Sequence, residues 1–361
     1  MTPPIREELR GLEPYGAPQL DVPVRLNVNE NPYPPPLAVV ADIELAVAAA
    51  ARQLNRYPDR EFTELREALA AHLGHGITPD QVWAANGSNE VMLHLLQAFG
   101  GPDRLAVSFA PTYSMYPEYA RDTHTIWAAG QREEDFALDL DHAVELIRGR
   151  RPSVVLLPSP NNPTGTSLPP ATVSALCEEL GDNLLIVDEA YAEFRRAGTP
   201  SALELLPRHS NLVVTRTMSK AFALAGARVG YLAAAAEVCD ALRVVRLPYH
   251  LSSVTQAVAL AALRHAEELL GAVDQLRAER DATVERLRAQ GFEVAESDAN
   301  FVLFGRFADR HAVWEGLLER GVLVRETGPE GWLRVSIGTP AEMAAFQNAL
   351  TSVTDTTEAT T

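Results

Sequence analysis

Residues 217–228 read Thr217-Met218-Ser219-Lys220-Ala221-Phe222-Ala223-Leu224-Ala225-Gly226-Ala227-Arg228. The stretch sets one amine, Lys220, directly after a hydroxyl, Ser219, with the Arg228 guanidinium further on across small residues and a glycine. A hydroxyl and an arginine that can grip two oxygens at once suit a phosphate dianion. By itself the block reads equally well as a surface lysine beside an unrelated arginine.

Two segments upstream sharpen the reading. Ser159-Pro160-Asn161-Asn162-Pro163-Thr164-Gly165 follows the apolar run Val154 to Leu157, and Val187-Asp188-Glu189-Ala190-Tyr191 closes the run Leu184 to Val187. Both put polar residues at the C-terminal end of a buried-strand pattern, where open α/β sheets carry their ligand sites. Taken singly, the first is also a proline-punctuated turn and the second a strand running into a helix cap. Together they supply an acid, Asp188, able to stay ionised against a pyridinium nitrogen. They also supply two neutral donors, Asn161 and Tyr191, for a ring phenolate oxygen. With Lys220 to form a Schiff base and Arg228 for a phosphate, the set fits a pyridoxal 5'-phosphate site. Lys220 is then also the group that moves the proton.

The phosphate pocket is completed by Gly87, Ser88 and Asn89, whose backbone amides would open a helix N-terminus toward an anion. An ordinary Gly-Ser helix cap is the plainer reading, but Ser219 and Arg228 need an anion to share. Tyr113, after Pro111 at the end of an apolar strand pattern, offers a flat aromatic face. Arg334 interrupts the strand-like alternation of Trp332 to Ile337. A buried charge is costly without a partner, so Arg334 is expected to meet a substrate anion. Arg325 assists, or is a solvated strand end.

These blocks, with Leu26-Asn27-Val28-Asn29-Glu30-Asn31-Pro32, Asn55-Arg56-Tyr57-Pro58, Ala110 to Tyr116 and Leu333 to Thr339, resemble the class II, fold-type I aminotransferases. Among these the resemblance is to the histidinol-phosphate aminotransferases, and it runs from Leu12 to about Leu350. It implies an α/β fold: a large, mostly parallel αβα sheet domain, a smaller α/β C-terminal domain and an N-terminal arm. It also implies transamination between L-histidinol phosphate and 2-oxoglutarate, a step of histidine biosynthesis. Tyr113 would stack on the cofactor. Arg334 would grip the carboxylate of glutamate or 2-oxoglutarate and the phosphate of histidinol phosphate. Tyr15 and Asn29 fall near the substrate, and Tyr57 would reach the cofactor phosphate of a partner subunit, making the active unit a homodimer. Asn89 stands where relatives often carry an acid, which puts a role for its side chain in doubt. An aromatic amino-acid aminotransferase, a threonine-phosphate decarboxylase-like lyase and a cofactor-sensing transcription regulator remain as alternatives. The last needs a basic helix-turn-helix domain for which this chain has no room.

Composition agrees. A chain of 361 residues suits two domains, and 47% apolar with 22% charged residues is globular. A formal net charge of −17 argues against nucleic-acid or anionic-membrane partners. Cys177 and Cys239 make neither a disulfide framework nor a zinc site, which points to a reducing compartment, the cytoplasm. No stretch reads as a signal peptide or membrane span, the nine histidines lack metal-ligand spacing, and nucleotide-binding glycine motifs are missing.

Along the chain, residues 1–35 read as an arm, 36–247 as the large cofactor-binding domain and 248–350 as the small domain. Residues 351–361 read as a disordered threonine-rich tail. Helices are expected at Ala38 to Leu54, Phe62 to Leu73 and His311 to Arg320. A long helical stretch, Thr255 to Gln290, carries Gly271 as a kink or break. Alternating apolar runs and helical patterns from Leu105 to Val214 predict βαβ units.

Overall fold

The computed structural model describes residues 3–358. After the arm, which carries strand β1 (Val24–Arg25), come helices α1 (Leu37–Ala51) and α2 (Thr63–Leu73). Strand β2 (Val82–Ala85) and helix α3 (Ser88–Phe99) follow. Strands and helices then alternate as β3 (Leu105–Ala110), α4 (Tyr116–Asp122), β4 (Ile126–Gln131) and α5 (Leu140–Arg150). The series continues through β5 (Val154–Pro158), α6 (Pro170–Leu180), β6 (Leu184–Asp188) and β7 (Leu212–Thr217). Strand β8 (Gly230–Ala233) and helix α7 (Ala236–Val245) complete this part.

These strands form one sheet in the order β2-β8-β7-β6-β5-β3-β4, with β8 antiparallel to both of its neighbours and β3 to β7 mutually parallel. The α/β architecture with a mostly parallel sheet is the one the sequence implied. Val154 to Leu157 and Leu184 to Val187 are buried throughout, as the continuous apolar runs of a helix-covered parallel sheet require. Register then does the positioning. Pro158 pairs with Asp188, and Asp188 with Thr215, so three strands end side by side.

The expected long helix is three: α8 (Ser253–Arg264), α9 (Ala266–Leu270) and α10 (Val273–Ala289), broken at His265 and at Gly271. The remaining elements are β9 (Glu293–Val294), β10 (Phe301–Gly305), α11 (Arg310–Glu319), β11 (Val322–Leu323), β12 (Arg325–Glu326), β13 (Trp332–Ser336) and α12 (Pro340–Glu358). An antiparallel sheet runs β12-β13-β10-β9, and β1 of the arm pairs in parallel with β11.

Two large hydrophobic cores, beside a small cluster of Phe136, Ala295, Leu303 and Trp332, divide the chain differently from the expected boundary at 247/248. Ala259 and Ala262 of α8, which packs on α1 and α2, belong to the first core, as does Leu269 of α9. The second gathers residues from Val273 onward, among them Phe301, Phe304, Val335 and Phe346, and recruits Leu26 from the arm and Tyr191, Phe194 and Ala221 from the expected large domain. The tail expected from residue 351 is also corrected. Helix α12 runs on to Glu358, and Val353 is buried on the face that carries Phe346 and Leu350. Residues 359–361 of that tail lie outside the described residues. Among the described residues no helix is long and apolar enough to cross a membrane.

Candidate active site

A cavity of about 260 Å³ opens where the ends of β5, β6 and β7 meet the arm and the β12–β13 strands. Lys220 enters it from the loop after β7. Its Nζ donates to Val28 O at 3.0 Å and stands 5.9 Å from the centre of the Tyr191 ring. Burial pushes the amine down to about 8, with Arg334 and Arg228 adding to the effect and Glu30 opposing it. Lys220 is also the only lysine in the 361 residues.

Asp188 ends β6, buried, with neutral donors around it. Thr215 Oγ1 donates to Oδ1 at 3.0 Å, Tyr116 Oη to Oδ2 at 3.1 Å and the Ala190 amide to Oδ1 at 3.3 Å. Burial dominates, raising its carboxyl above the ordinary value despite those donors. A protonated ring nitrogen would supply the positive charge that these neutral donors do not.

Of the paired asparagines the structure selects the second, which corrects the expectation for Asn161. Asn161 is fully buried and donates from Nδ2 to Pro111 O at 3.0 Å and Thr164 Oγ1 at 2.8 Å, pinning the loop from behind. Asn162 lines the cavity instead. Its Oδ1 accepts from Arg334 Nη1 at 2.5 Å, and its Nδ2 lies 3.5 Å from Tyr191 Oη. Adjacent side chains in this turn point opposite ways, and only the fold says which one faces the cavity. Asn162 was in the quoted motif; nothing in its residue type set it apart from Asn161.

Gly87, at φ 87°, caps α3 in a backbone conformation that disfavours other residues. A Cβ here would come 2.4 Å from Arg228 Nη2, and a Cβ on Gly230 would come 2.2 Å from the Ser88 amide nitrogen. The result is a tight hollow at a helix N-terminus, where first-turn amides lack intrahelical acceptors. Ser88, Asn89, Thr217, Ser219 and Arg228 line the adjoining cavity wall. Arg228 Nη1 donates to Ser219 Oγ at 3.3 Å. A phosphate ester fits this set of donors. Tyr113 also lines the cavity, edge-on to Tyr116 with ring centres 5.5 Å apart, and its hydroxyl donates to Asn89 Oδ1 at 3.4 Å.

Arg334 and Arg325 stand directly opposite each other in the antiparallel β12–β13 pair. Like charges so placed repel. Arg334 is buried, donates from Nη2 to Asn27 O at 2.9 Å, leaves Nε without an acceptor and sits 5.1 Å over the Phe301 ring. Burial pushes its guanidinium down to about 10, with Arg325 adding to the effect. Arg325 lines the same cavity and donates to Gly16 O at 3.3 Å. An anion between the two would relieve both the repulsion and the unpaired donor.

Tyr15 reaches the cavity from the arm, its hydroxyl 2.8 Å from Ser114 Oγ. Asn29 also lines it, although its amide is engaged by Ser336 and Tyr191. Tyr57 is not among the lining residues: it is 80% exposed and stacks on Tyr249 at 4.4 Å. Among the described residues no group of His, Cys, Asp or Glu is arranged to hold a metal ion.

Residues 22–350 match the family model described as aminotransferase class I and II. The chain belongs to this family. Within it, the chain is 62% identical over 351 residues to a histidinol-phosphate aminotransferase of Thermobifida fusca (strain YX), covering 97% of this chain and 95% of that one. The histidinol-phosphate aminotransferase of Sinorhizobium meliloti, solved with pyridoxal-5'-phosphate, is 26% identical with a TM-score of 0.83, over 92% of this chain and 91% of that one. A variant of Thermus thermophilus aspartate aminotransferase is 25% identical with a TM-score of 0.82, over 98% of this chain and 100% of that one. The aminotransferase fold is therefore shared by enzymes named for different substrates, and specificity has to be argued from the site.

Proposed function

We propose that this aminotransferase moves the amino group of L-histidinol phosphate to 2-oxoglutarate, giving imidazole-acetol phosphate and glutamate, with pyridoxal phosphate as cofactor, in histidine biosynthesis. The observation that carries the reading is the opposed pair Arg325 and Arg334, a doubly cationic wall facing the Lys220 amine across one cavity. A phosphate and a carboxylate are the anions that the two substrates bring to it in turn. The relative from Thermobifida fusca bears the same activity in its name.

Bound pyridoxal phosphate supplies an electrophilic carbon for amines and a ring that absorbs the electrons released when a proton leaves the substrate carbon. The chain does the rest. Ser88, Ser219, Arg228 and the first-turn amides of α3 hold the phosphate. Asp188 keeps the ring nitrogen protonated, and Tyr191 and Asn162 serve the ring oxygen. Tyr113 packs on the ring face. Lys220 Nζ, its basicity lowered by burial, would take the proton from the carbon that bears the amine and deliver it, on the same face, to the carbon of the cofactor's aldehyde. Positioned transfer of this kind contributes roughly 10²- to 10⁴-fold.

The working unit in this reading is a homodimer in the cytoplasm. Segments 37–57 and 244–249 carry exposed Leu37, Leu45, Leu54, Val244 and Leu247, and the Tyr57–Tyr249 stack joins them. Tyr57 is thereby free to serve a second copy. The cytoplasmic setting rests on two unbridged cysteines, Cys177 and Cys239. The decisive test is an amino-donor panel with 2-oxoglutarate, following glutamate formed and carbon dioxide released. Histidinol phosphate should give the highest kcat/KM. Preference for phenylalanine or tyrosine would instead make it an aromatic aminotransferase, and carbon dioxide from threonine phosphate would make it a lyase.

A further inference from the structure

Tyr191 Oη receives two amide donors, Asn29 Nδ2 at 3.0 Å and Asn162 Nδ2 at 3.5 Å. A phenol oxygen accepts on its lone pairs and carries one proton of its own. With amides on the accepting side, that proton is left for the open side of the residue, which is the cavity. The direction of the amides therefore decides where the tyrosine proton points.

The Asn29 amide could in principle be turned either way, and the Ser336 hydroxyl favours one by donating to Oδ1. The Asn29 backbone amide donates to Ser336 Oγ at 2.9 Å, so the serine proton must leave on another side. It goes to Asn29 Oδ1 at 2.8 Å. Oδ1 accepts from Ser336, and Nδ2 faces Tyr191. The backbone of Asn29 is clamped as well: Asn300 Nδ2 donates to its carbonyl at 3.1 Å, and its φ of 57° is a left-handed conformation that asparagine tolerates. Asn29, Ser336 and Tyr191 are all buried. Strand β13 therefore delivers two groups on one face, Arg334 for the substrate anion and Ser336 two residues later.

We infer that Ser336 and Asn29 are positioning residues: a one-way hydrogen-bond relay that aims the Tyr191 proton into the cavity, at the ring oxygen of the bound cofactor. The inference rests on the function proposed above. Without the serine hydroxyl, Asn29 is free to turn its Oδ1 toward Tyr191 and draw the phenol proton away. A donor on the ring oxygen spreads that oxygen's charge and loosens its hold on the proton of the neighbouring lysine-derived nitrogen. Loss of the relay therefore raises the pH at which the lysine-bound chromophore changes colour.

The test is a double-mutant cycle read by absorbance against pH, with cofactor dissociation constants and urea midpoints alongside. Ser336→Ala should raise the colour midpoint by roughly half to one pH unit. It should also weaken cofactor binding about 2- to 10-fold. Ser336→Thr, which keeps the hydroxyl, should stay near wild type. Tyr191→Phe should raise the midpoint at least as much, and adding Ser336→Ala to it should change nothing further. A wild-type midpoint in Ser336→Ala, or an equal added shift on the Tyr191→Phe background, overturns the relay. If Ser336→Ala does not fold, Ser336→Cys, a weaker donor of similar size, carries the same cycle. A wild-type chain that binds no cofactor overturns the functional reading and the relay with it. A normal wild type and a shifted Tyr191→Phe with an inert Ser336→Ala overturn the relay alone.

Discussion

Asn162 ties Arg334 to Tyr191: its Oδ1 accepts from Arg334 Nη1 at 2.5 Å while its Nδ2 lies 3.5 Å from Tyr191 Oη. One side chain thus touches both the group that grips substrate and the group that serves the cofactor ring. Asn162→Ala should lower kcat/KM for histidinol phosphate by about 10- to 100-fold, the worth of a hydrogen bond to a charged donor. Asn161→Ala should leave kcat/KM within about threefold and cost stability instead, about 1–3 kcal/mol in urea unfolding, since it strands Pro111 O and removes one partner of Thr164 Oγ1. The reverse pattern would return the role to Asn161.

Lys220 gives a pH test with a definite sign. Its folded amine titrates at about 8 against an ordinary 10.5. Between those values the unfolded chain holds the extra proton, so the cofactor-free protein gains stability as pH rises through that window. Lys220→Met should remove the gain, measured as the difference in urea midpoints between wild type and variant. In the same variant, borohydride treatment with pyridoxal phosphate should add no mass at any lysine, because Lys220 is the only one.

Asp188→Asn should keep cofactor bound and lose roughly 10²-fold or more in kcat, because a preorganised charge opposite the ring nitrogen is gone. Near-normal turnover would remove Asp188 from the electron-sink role. Its buried carboxyl, raised in the cofactor-free chain, has the opposite linkage to Lys220. The stability contribution falls as pH rises from the unfolded value toward the folded one, and Asp188→Asn should flatten that fall.

Arg334→Ala should depress kcat/KM about 10²-fold or more in both half-reactions, measured separately with histidinol phosphate and with glutamate. Arg334→Lys should recover little, since an ammonium cannot grip two oxygens in a fork. Arg325→Ala should be milder for both, as Arg325 is less buried than Arg334. Loss of histidinol phosphate alone in Arg334→Ala would require a separate phosphate site.

Mixing Lys220→Ala chains with Tyr57→Ala chains should restore activity if Tyr57 completes the partner's site. A mixed dimer then holds one intact site. The Tyr57 donor is worth only about 0.5–1.5 kcal/mol, or up to about 3 kcal/mol to a charged phosphate, so the assay belongs at low cofactor concentration. No recovery on mixing, with dimers present by light scattering, would confine each site to one chain.

Much of this site was legible in the sequence because its chemistry is carried by residues that rarely stand together by chance. Lys220 after Ser219 with Arg228 following, Asp188 at the end of an apolar run, and Gly87-Ser88 before an amphipathic helix each announce themselves through local pattern. Strand runs such as Val154 to Leu157 are buried on both sides and therefore continuous, so the parallel sheet and its ligand-bearing edge were readable too. Tertiary structure alone decided the rest. Asn161 and Asn162 are chemically identical neighbours, and which one faces the cavity depends on how the turn sits on Pro111 and Thr164. Arg325 opposite Arg334 is a register fact, and the chain between them could have closed at other offsets. Ser336 meets Asn29 across 307 positions, a contact that no local pattern encodes. The change of core after Leu269 was equally hidden, because the alanine-rich face of α8 is apolar wherever it lies, and only packing on α1 and α2 assigns it to the first core. Local sequence determines which groups a segment can offer; the distances between segments are fixed only when long-range packing chooses one arrangement of the chain.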